Sequence, residues 1–225
     1  MILLVGGEKG GTGKSMISCN LAVCLAHKGR DVMLVDADPQ ATSTKWINRR
    51  NKLHPDLPKI NSTQKTGDVF ETVRDLATRY EEVIIDAGGR DSEELRTALV
   101  TSHKVLTPLF PAQDNIETME RMLSLVKQAK SLNRSLEAFV LINRVNTNPQ
   151  VNTATDAIRF LQERQDVFTV LAQNKINDYK VFQDANADGL SVIETSHAKA
   201  KAQIQLLSDL LYTEVSTKSE ELVYG

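Results

Sequence analysis

Residues 9–15 read Lys9-Gly10-Gly11-Thr12-Gly13-Lys14-Ser15, set between the short apolar run Ile2–Val5 and a helical spacing that begins at Met16. A strand, a glycine loop and a helix start therefore follow one another. Glycines let backbone amides turn inward on phosphate oxygens, and the helix N-terminus adds partial positive charge. Lys14 is placed to meet the outer phosphates and Ser15 to offer a hydroxyl to magnesium. Gly10, Gly11, Thr12, Gly13, Lys14, Ser15 and Met16 are thus the candidate nucleotide-binding residues. An ordinary glycine turn capping a helix is the competing reading, and the flanking strand and helix favour the phosphate loop. The common G-x-x-x-x-G-K-[ST] pattern would put glycine at position 8, where Glu8 stands. Lys9 and the Gly10-Gly11 pair are additions to it.

Working outward, apolar or β-branched runs recur at residues 32–35, 83–85, 105–109, 139–142 and, more weakly, 168–171. Helical spacing separates them, as in Met16, Leu21, Leu25 and in Ile116, Met119, Met122, Leu123, Val126. Helices are also expected over residues 68–80, 92–101, 152–165 and 198–215. Such alternation predicts an α/β fold, a mostly parallel sheet flanked by helices on both faces. Residues 51–66, with Pro55 and Pro58 among polar neighbours, read as a surface excursion, and the polar tail 216–225 as frayed.

The 225 residues suit one large domain spanning 1–225, since domains run to roughly 100–200 residues. A hydrophobic fraction of 41% and a charged fraction of 25% argue against general disorder. The formal charge of -2 gives no global attraction to nucleic acid or acidic lipid, so either would need a local basic patch. Cys19 and Cys24 lie five apart in a helical pattern, on different faces, which disfavours a bridge and fits a reducing cytoplasm. The N-terminal residues lack the features of a signal peptide, and no stretch is long enough to cross a membrane.

Carboxylates follow the strands. Asp36 and Asp38, in Asp36-Ala37-Asp38-Pro39-Gln40, project to one side at the C-terminal end of the second run, the edge where open α/β sheets place ligands. Asp86 ends the run 83–85, and Asn143 with Arg144 ends 139–142. A strand-end Asp or Asn is also a common turn or cap residue.

The string KGGTGKS resembles the deviant Walker A motif of the ParA and MinD family of ATPases. The match extends to Asp36–Gln40, similar to D-x-D-P-Q, and to residues 189–194, Gly-Leu-Ser-Val-Ile-Glu, similar to G-L-S-V-x-E. The resemblance implies a P-loop NTPase fold, ATP and Mg2+ as cofactors, and slow ATP hydrolysis. It implies that Lys9 reaches the partner subunit's phosphates across a nucleotide-sandwich homodimer, neutralising charge that builds up in phosphoryl transfer. It further implies that Lys14 and Asp38 join Lys9 in catalysis, Asp38 by positioning the attacking water. Ser15, Asp36 and Asp86 would serve magnesium, and Asn143 with Arg144 the base. After Gly88 and Gly89, in a region that responds to the γ-phosphate in this family, Arg90 and Asp91 replace the more usual proline. Residues 176–194 resemble the family stretch in which an aromatic-containing helix precedes G-L-S-V-x-E, and an arginine common before that helix is replaced by Tyr179 and Lys180.

By the same resemblance the ATP-bound dimer coats DNA without regard to sequence, and a centromere-binding adaptor protein stimulates hydrolysis. The cargo is most often a plasmid, and the location cytoplasmic and nucleoid-associated. Because Met1 leads almost directly into the loop, an N-terminal DNA-reading domain is not expected. Candidate DNA phosphate contacts are Lys180, Lys199 and Lys201, and a second group at Arg49, Arg50 and Lys52; a solvated helix face is the rival for each. A MinD-like membrane switch is disfavoured by the acidic end at residues 219–224, so no membrane partner is expected. A partition-type ATPase for a protein cargo remains an alternative. A dethiobiotin-type ligase is disfavoured by Lys9, and an iron-sulfur reductase by cysteines confined to the first helix.

Overall fold

The computed structural model describes residues 1–111, 113–147, 153–162 and 166–213. The chain alternates β1 (Ile2–Val5), α1 (Lys14–His27), β2 (Val32–Asp36), α2 (Thr42–Leu53), β3 (Asn61–Gln64), α3 (Phe70–Ala77), β4 (Glu82–Asp86) and α4 (Glu93–Thr101). It continues through β5 (Lys104–Leu109), α5 (Gln113–Leu132), β6 (Glu137–Ile142), α6 (Thr153–Gln162), β7 (Thr169–Val170), α7 (Val181–Ala187) and α8 (Ala198–Tyr212), with a 3-10 turn at Val192–Glu194 before α8. The expected frayed tail and the acidic end lie outside the described residues.

All strands are parallel, in the order β3-β2-β4-β1-β5-β6-β7. Parallel strands are buried on both faces, and strand side chains alternate, so the two faces sort by residue parity. Ile2, Leu4, Met33, Val35, Val83 and Ile85 pack against α3, α4, α5 and α6. Leu3, Val5, Val32, Leu34, Ile84 and Leu106 pack under α1, α2, α7 and α8. The helix α1 is buried on nearly every side, at Lys14 and from Ile17 to Ala26. Ser92 caps α4 by accepting the Leu95 amide, with Glu93 and Glu94 in the favourable first turn.

Two elements correct the sequence reading. Residues expected as a surface excursion contribute the end of α2 and the edge strand β3, four polar residues paired parallel with β2. The whole of α2 was missing from the expected helices because its inward face is Ser43, Trp46, Ile47 and Arg50, only half of it apolar.

Candidate nucleotide and magnesium site

The loop between β1 and α1 stands over the C-terminal edge of the sheet. Gly13 is its pivot, left-handed at φ 92°, and a Cβ there would lie 2.3 Å from Asn143 Nδ2. Only glycine satisfies both conditions. Asn143 is wholly buried at the end of β6, and its Nδ2 donates to the Thr12 carbonyl at 2.7 Å. One of the two Nδ2 hydrogens is therefore committed to shaping the loop. A second Nδ2 hydrogen remains, and Oδ1 is buried with no hydrogen-bond partner.

Lys14 is buried, and its Nζ donates to the Lys9 carbonyl at 2.7 Å. Burial pushes its ammonium below the ordinary value, with Asp86 and Asp38 pulling the other way. Thr12 Oγ1 donates to the same carbonyl at 3.4 Å.

Asp36 and Asp86 are paired in register on β2 and β4, and both are buried. Their surroundings differ. Asp36 accepts the Asp38 amide at 3.1 Å and the Thr44 amide at 2.8 Å, so each of its oxygens already holds backbone, including the start of α2. Asp86 accepts only Ser18 Oγ at 3.3 Å through Oδ1, while its Oδ2 has no partner. Burial raises the Asp86 pKa to about 6, although the Ser15 and Ser43 hydroxyls close by lower it partway. Those hydroxyls are near it without completing a bond to Oδ2, and Ser43 Oγ is itself unpartnered. Asp38, half-buried, accepts the Gln40 amide at 2.9 Å through Oδ1, and its Oδ2 lies 3.2 Å from where a Gly88 Cβ would stand.

These residues fit magnesium. A buried carboxylate with an orphaned oxygen beside the Ser15 hydroxyl is a hard-oxygen donor set, and magnesium takes one or two carboxylates and completes its shell with water and phosphate. Ser15 and Asp86 would hold the ion and Asp36 would brace the shell. The ion would supply charge neutralisation of the phosphates.

The raised Asp86 pKa has a measurable sign. The folded chain without nucleotide keeps a proton that the unfolded chain releases above pH ~4, so this contribution to stability is full below ~4 and lost as pH rises through ~6. Asp86→Asn, in chelator without nucleotide, should gain on the parent by about 2 kcal/mol between pH 4.5 and 7.5 in urea unfolding. A stability difference independent of pH would contradict the assignment.

A cleft of about 380 Å³ opens beside the loop, lined also by Ser15 and Met16. Its apolar wall is Phe182, Leu190 and Val192, and its polar wall includes Asn177, Asp178 and Arg144. Arg144, left-handed at φ 56°, pairs with Asp178 at 3.4 Å and lies over the Phe110 ring. An apolar wall with a few convergent polar groups suits a flat heteroaromatic base. Sequence reasoning did not single out Asn177, Asp178 or Phe182, nor Asn20, whose Oδ1 accepts Ser191 Oγ at 2.7 Å and the Val192 amide at 3.0 Å. The available signal was the Gly-Leu-Ser-Val-Ile-Glu stretch. Its Ser191 and Glu194 form a capping box that seats Val192 in the cleft wall.

The second basic group nominated for DNA does not survive as a patch. Arg50 is wholly buried against Glu194, and Arg49 is bonded to the Asn186 carbonyl. Lys180 is exposed and paired with Asp184 at 2.6 Å, while Lys52 and Lys199 are exposed and Lys201 is half-buried.

Comparison with known proteins agrees with this fold. The model described as CobQ/CobB/MinD/ParA nucleotide binding domain matches residues 3–183. Maintenance of carboxysome distribution protein A of Gloeobacter kilaueensis is 30% identical over 199 residues, 86% of this chain and 84% of that protein. The apo McdA structure from Cyanothece superposes with a TM-score of 0.78 at 15% identity, covering 93% of this chain and 98% of that one. A plasmid partition protein from Borrelia burgdorferi bound to AMPPNP superposes at 0.69 and 20% identity, covering 93% and 98%. At these identities the two structures speak for the fold alone.

Proposed function

The chain belongs to the CobQ/CobB/MinD/ParA nucleotide-binding family, and on that premise we propose that it is a magnesium-dependent ATPase working as a dimerisation switch. The observation that carries this reading is the Lys14 ammonium resting on the Lys9 carbonyl. Phosphates that draw Lys14 onto themselves must take it from that carbonyl, so occupancy of the loop changes how the Lys9 segment is held. Lys9 would then reach the partner subunit's phosphates, and Asp38, beside Gly88, would position the attacking water. Asn143 and Arg144 would border the base, with Gly10 to Met16 around the phosphates.

The ATP dimer binds DNA through phosphate contacts without regard to sequence and is released when a centromere-binding adaptor stimulates hydrolysis. Lys199 and Lys201 are the remaining contacts to test first. The cargo is a plasmid or another DNA element, and the chain works at the nucleoid. A protein body as cargo is a second reading, favoured by the name of the Gloeobacter relative. Among the described residues no helix is long and apolar enough to cross a membrane.

The test compares DNA binding with ATP, ADP and no nucleotide at two salt concentrations. Binding only with ATP, falling steeply with salt as counterions are released, is the expected result. Binding that ignores the nucleotide would refute the switch. Asp38→Ala should dimerise with ATP, read by light scattering, while its hydrolysis falls about 100-fold or more, the scale of a lost general-base or water-positioning group. Normal turnover in that variant would assign the water to another residue.

A further inference from the structure

We propose that Arg90 binds the terminal phosphate of ATP and is the side chain by which this protein tells a triphosphate from a diphosphate. The proposal rests on the nucleotide-binding reading above and names a residue that reading leaves unused.

The loop after β4 is wedged against the phosphate loop. A Cβ at Gly89 would lie 2.6 Å from the Gly10 amide nitrogen and 2.8 Å from the Lys9 carbonyl carbon. On its other side a Cβ at the preceding Gly88 would lie 3.2 Å from Asp38 Oδ2. Arg90 therefore leaves the chain directly after a segment held between the outer phosphate loop and the candidate water-positioning group.

A second cleft, of about 450 Å³, opens there and is lined by Gly10, Asp38, Gly88, Gly89, Arg90 and Glu94 among others. Arg90 is the sole Lys or Arg among its described lining residues. A terminal phosphate entering beside Asp38 and Glu94 meets a negative wall. Lys14 and one magnesium ion leave that wall undercompensated, so a further cation has a defined task.

The nearby acids are already committed. Asp91 is held bidentately by Arg96, at 2.7 and 2.6 Å, and Glu94 accepts the Gly67 amide at 2.7 Å. Arg90 itself is exposed and makes no hydrogen bond or ion pair with any described residue. A guanidinium presents a planar fork suited to two phosphate oxygens, and the adjacent glycines carry no side chain to obstruct its approach.

The experiment measures Mg·ATP and Mg·ADP affinities of the full chain with fluorescent nucleotides, for the parent, Arg90→Ala and Arg90→Lys, with thermal melting as a check on folding. ADP is the internal control because it lacks the phosphate in question. Arg90→Ala should weaken ATP by roughly tenfold or more, the scale of a charge-assisted hydrogen-bonded pair, while ADP stays within about twofold. Arg90→Lys should recover part of the loss. An ATP-to-ADP ratio equal to the parent's overturns the proposal, and so does an equal weakening of both nucleotides, which would place Arg90 on the inner phosphates or in support of the loop. A parent that binds neither nucleotide instead refutes the underlying nucleotide site and takes this proposal with it.

Discussion

Lys14→Ala should abolish detectable Mg·ATP binding while the protein stays folded. The ammonium is buried at the mouth of α1, and its one hydrogen bond goes to the Lys9 carbonyl at 2.7 Å, so its removal frees a single loop carbonyl and takes a positive charge away from Asp86 and Asp38. Burial already pushes that charge toward neutrality, which means the folded chain bears a cost for holding it. Phosphate oxygens repay that cost, because hydrogen bonds to charged groups contribute about 1.5–3 kcal/mol each. Two such bonds lost together weaken affinity by roughly 100-fold or more. Titration calorimetry with Mg·ATP measures the loss, and circular dichroism checks that melting shifts by only a few degrees. The Lys9 carbonyl keeps the weaker Thr12 contact at 3.4 Å and lies on a partly exposed loop, so water can replace the ammonium. ATP affinity unchanged in this variant would refute the phosphate-loop assignment.

Glu194→Ala should destabilise the fold by about 3–5 kcal/mol, the cost of leaving a buried charge without its partner. Arg50 is 0% exposed and Glu194 3%, and the guanidinium bonds both carboxylate oxygens. Arg50 Nη1 also donates to the Pro58 carbonyl at 2.9 Å. Burial alone would raise the Glu194 pKa, but Arg50, the Ser191 amide and His27 outweigh it and hold the carboxylate below the ordinary value. Its contribution to stability is therefore present above the ordinary carboxylate pKa and lost as pH falls through the lowered one. Urea unfolding of Glu194→Ala, Arg50→Met and the pair measures the coupling. The double variant should recover much of the loss, since an apolar side chain of similar volume needs no counter-charge. Additive losses would show that the two residues do not act together. The consequence reaches the ligand: Glu194 Oε2 accepts the Ser191 amide at 3.0 Å, and Ser191 precedes Val192 in the cleft wall. Nucleotide affinity in Glu194→Ala should fall even at temperatures where it remains folded.

This ion pair also shows why part of the fold escaped the sequence reading. Periodicity detects a helix by the free energy of burying apolar groups at a 3.6-residue repeat. In α2 two of the four inward positions are Ser43 and Arg50, and Arg50 is buried only because Glu194, 144 positions later in the chain, neutralises it. Likewise β3, Asn-Ser-Thr-Gln, has no alternation of its own and is a strand because β2 offers it backbone partners. Arg50 read as an exposed basic residue for the same reason.

Local chemistry was legible wherever it is written in consecutive residues. The glycine loop with its Lys-Ser pair, the apolar runs that become β1, β2, β4, β5 and β6, and the strand-end carboxylates depend on near neighbours. They sufficed for the parallel α/β fold and for the candidate loop and carboxylates at one edge of its sheet. What only the tertiary structure decided is how distant groups divide their bonds: both oxygens of Asp36 hold backbone amides, Asp86 keeps an orphaned oxygen, Asn143 lends one amide hydrogen to the loop, and Arg90 is left unpaired beside it. Hydrogen bonds and charges are satisfied by whichever partner the fold brings within about 3 Å, and that partner's place in the chain leaves no periodic trace.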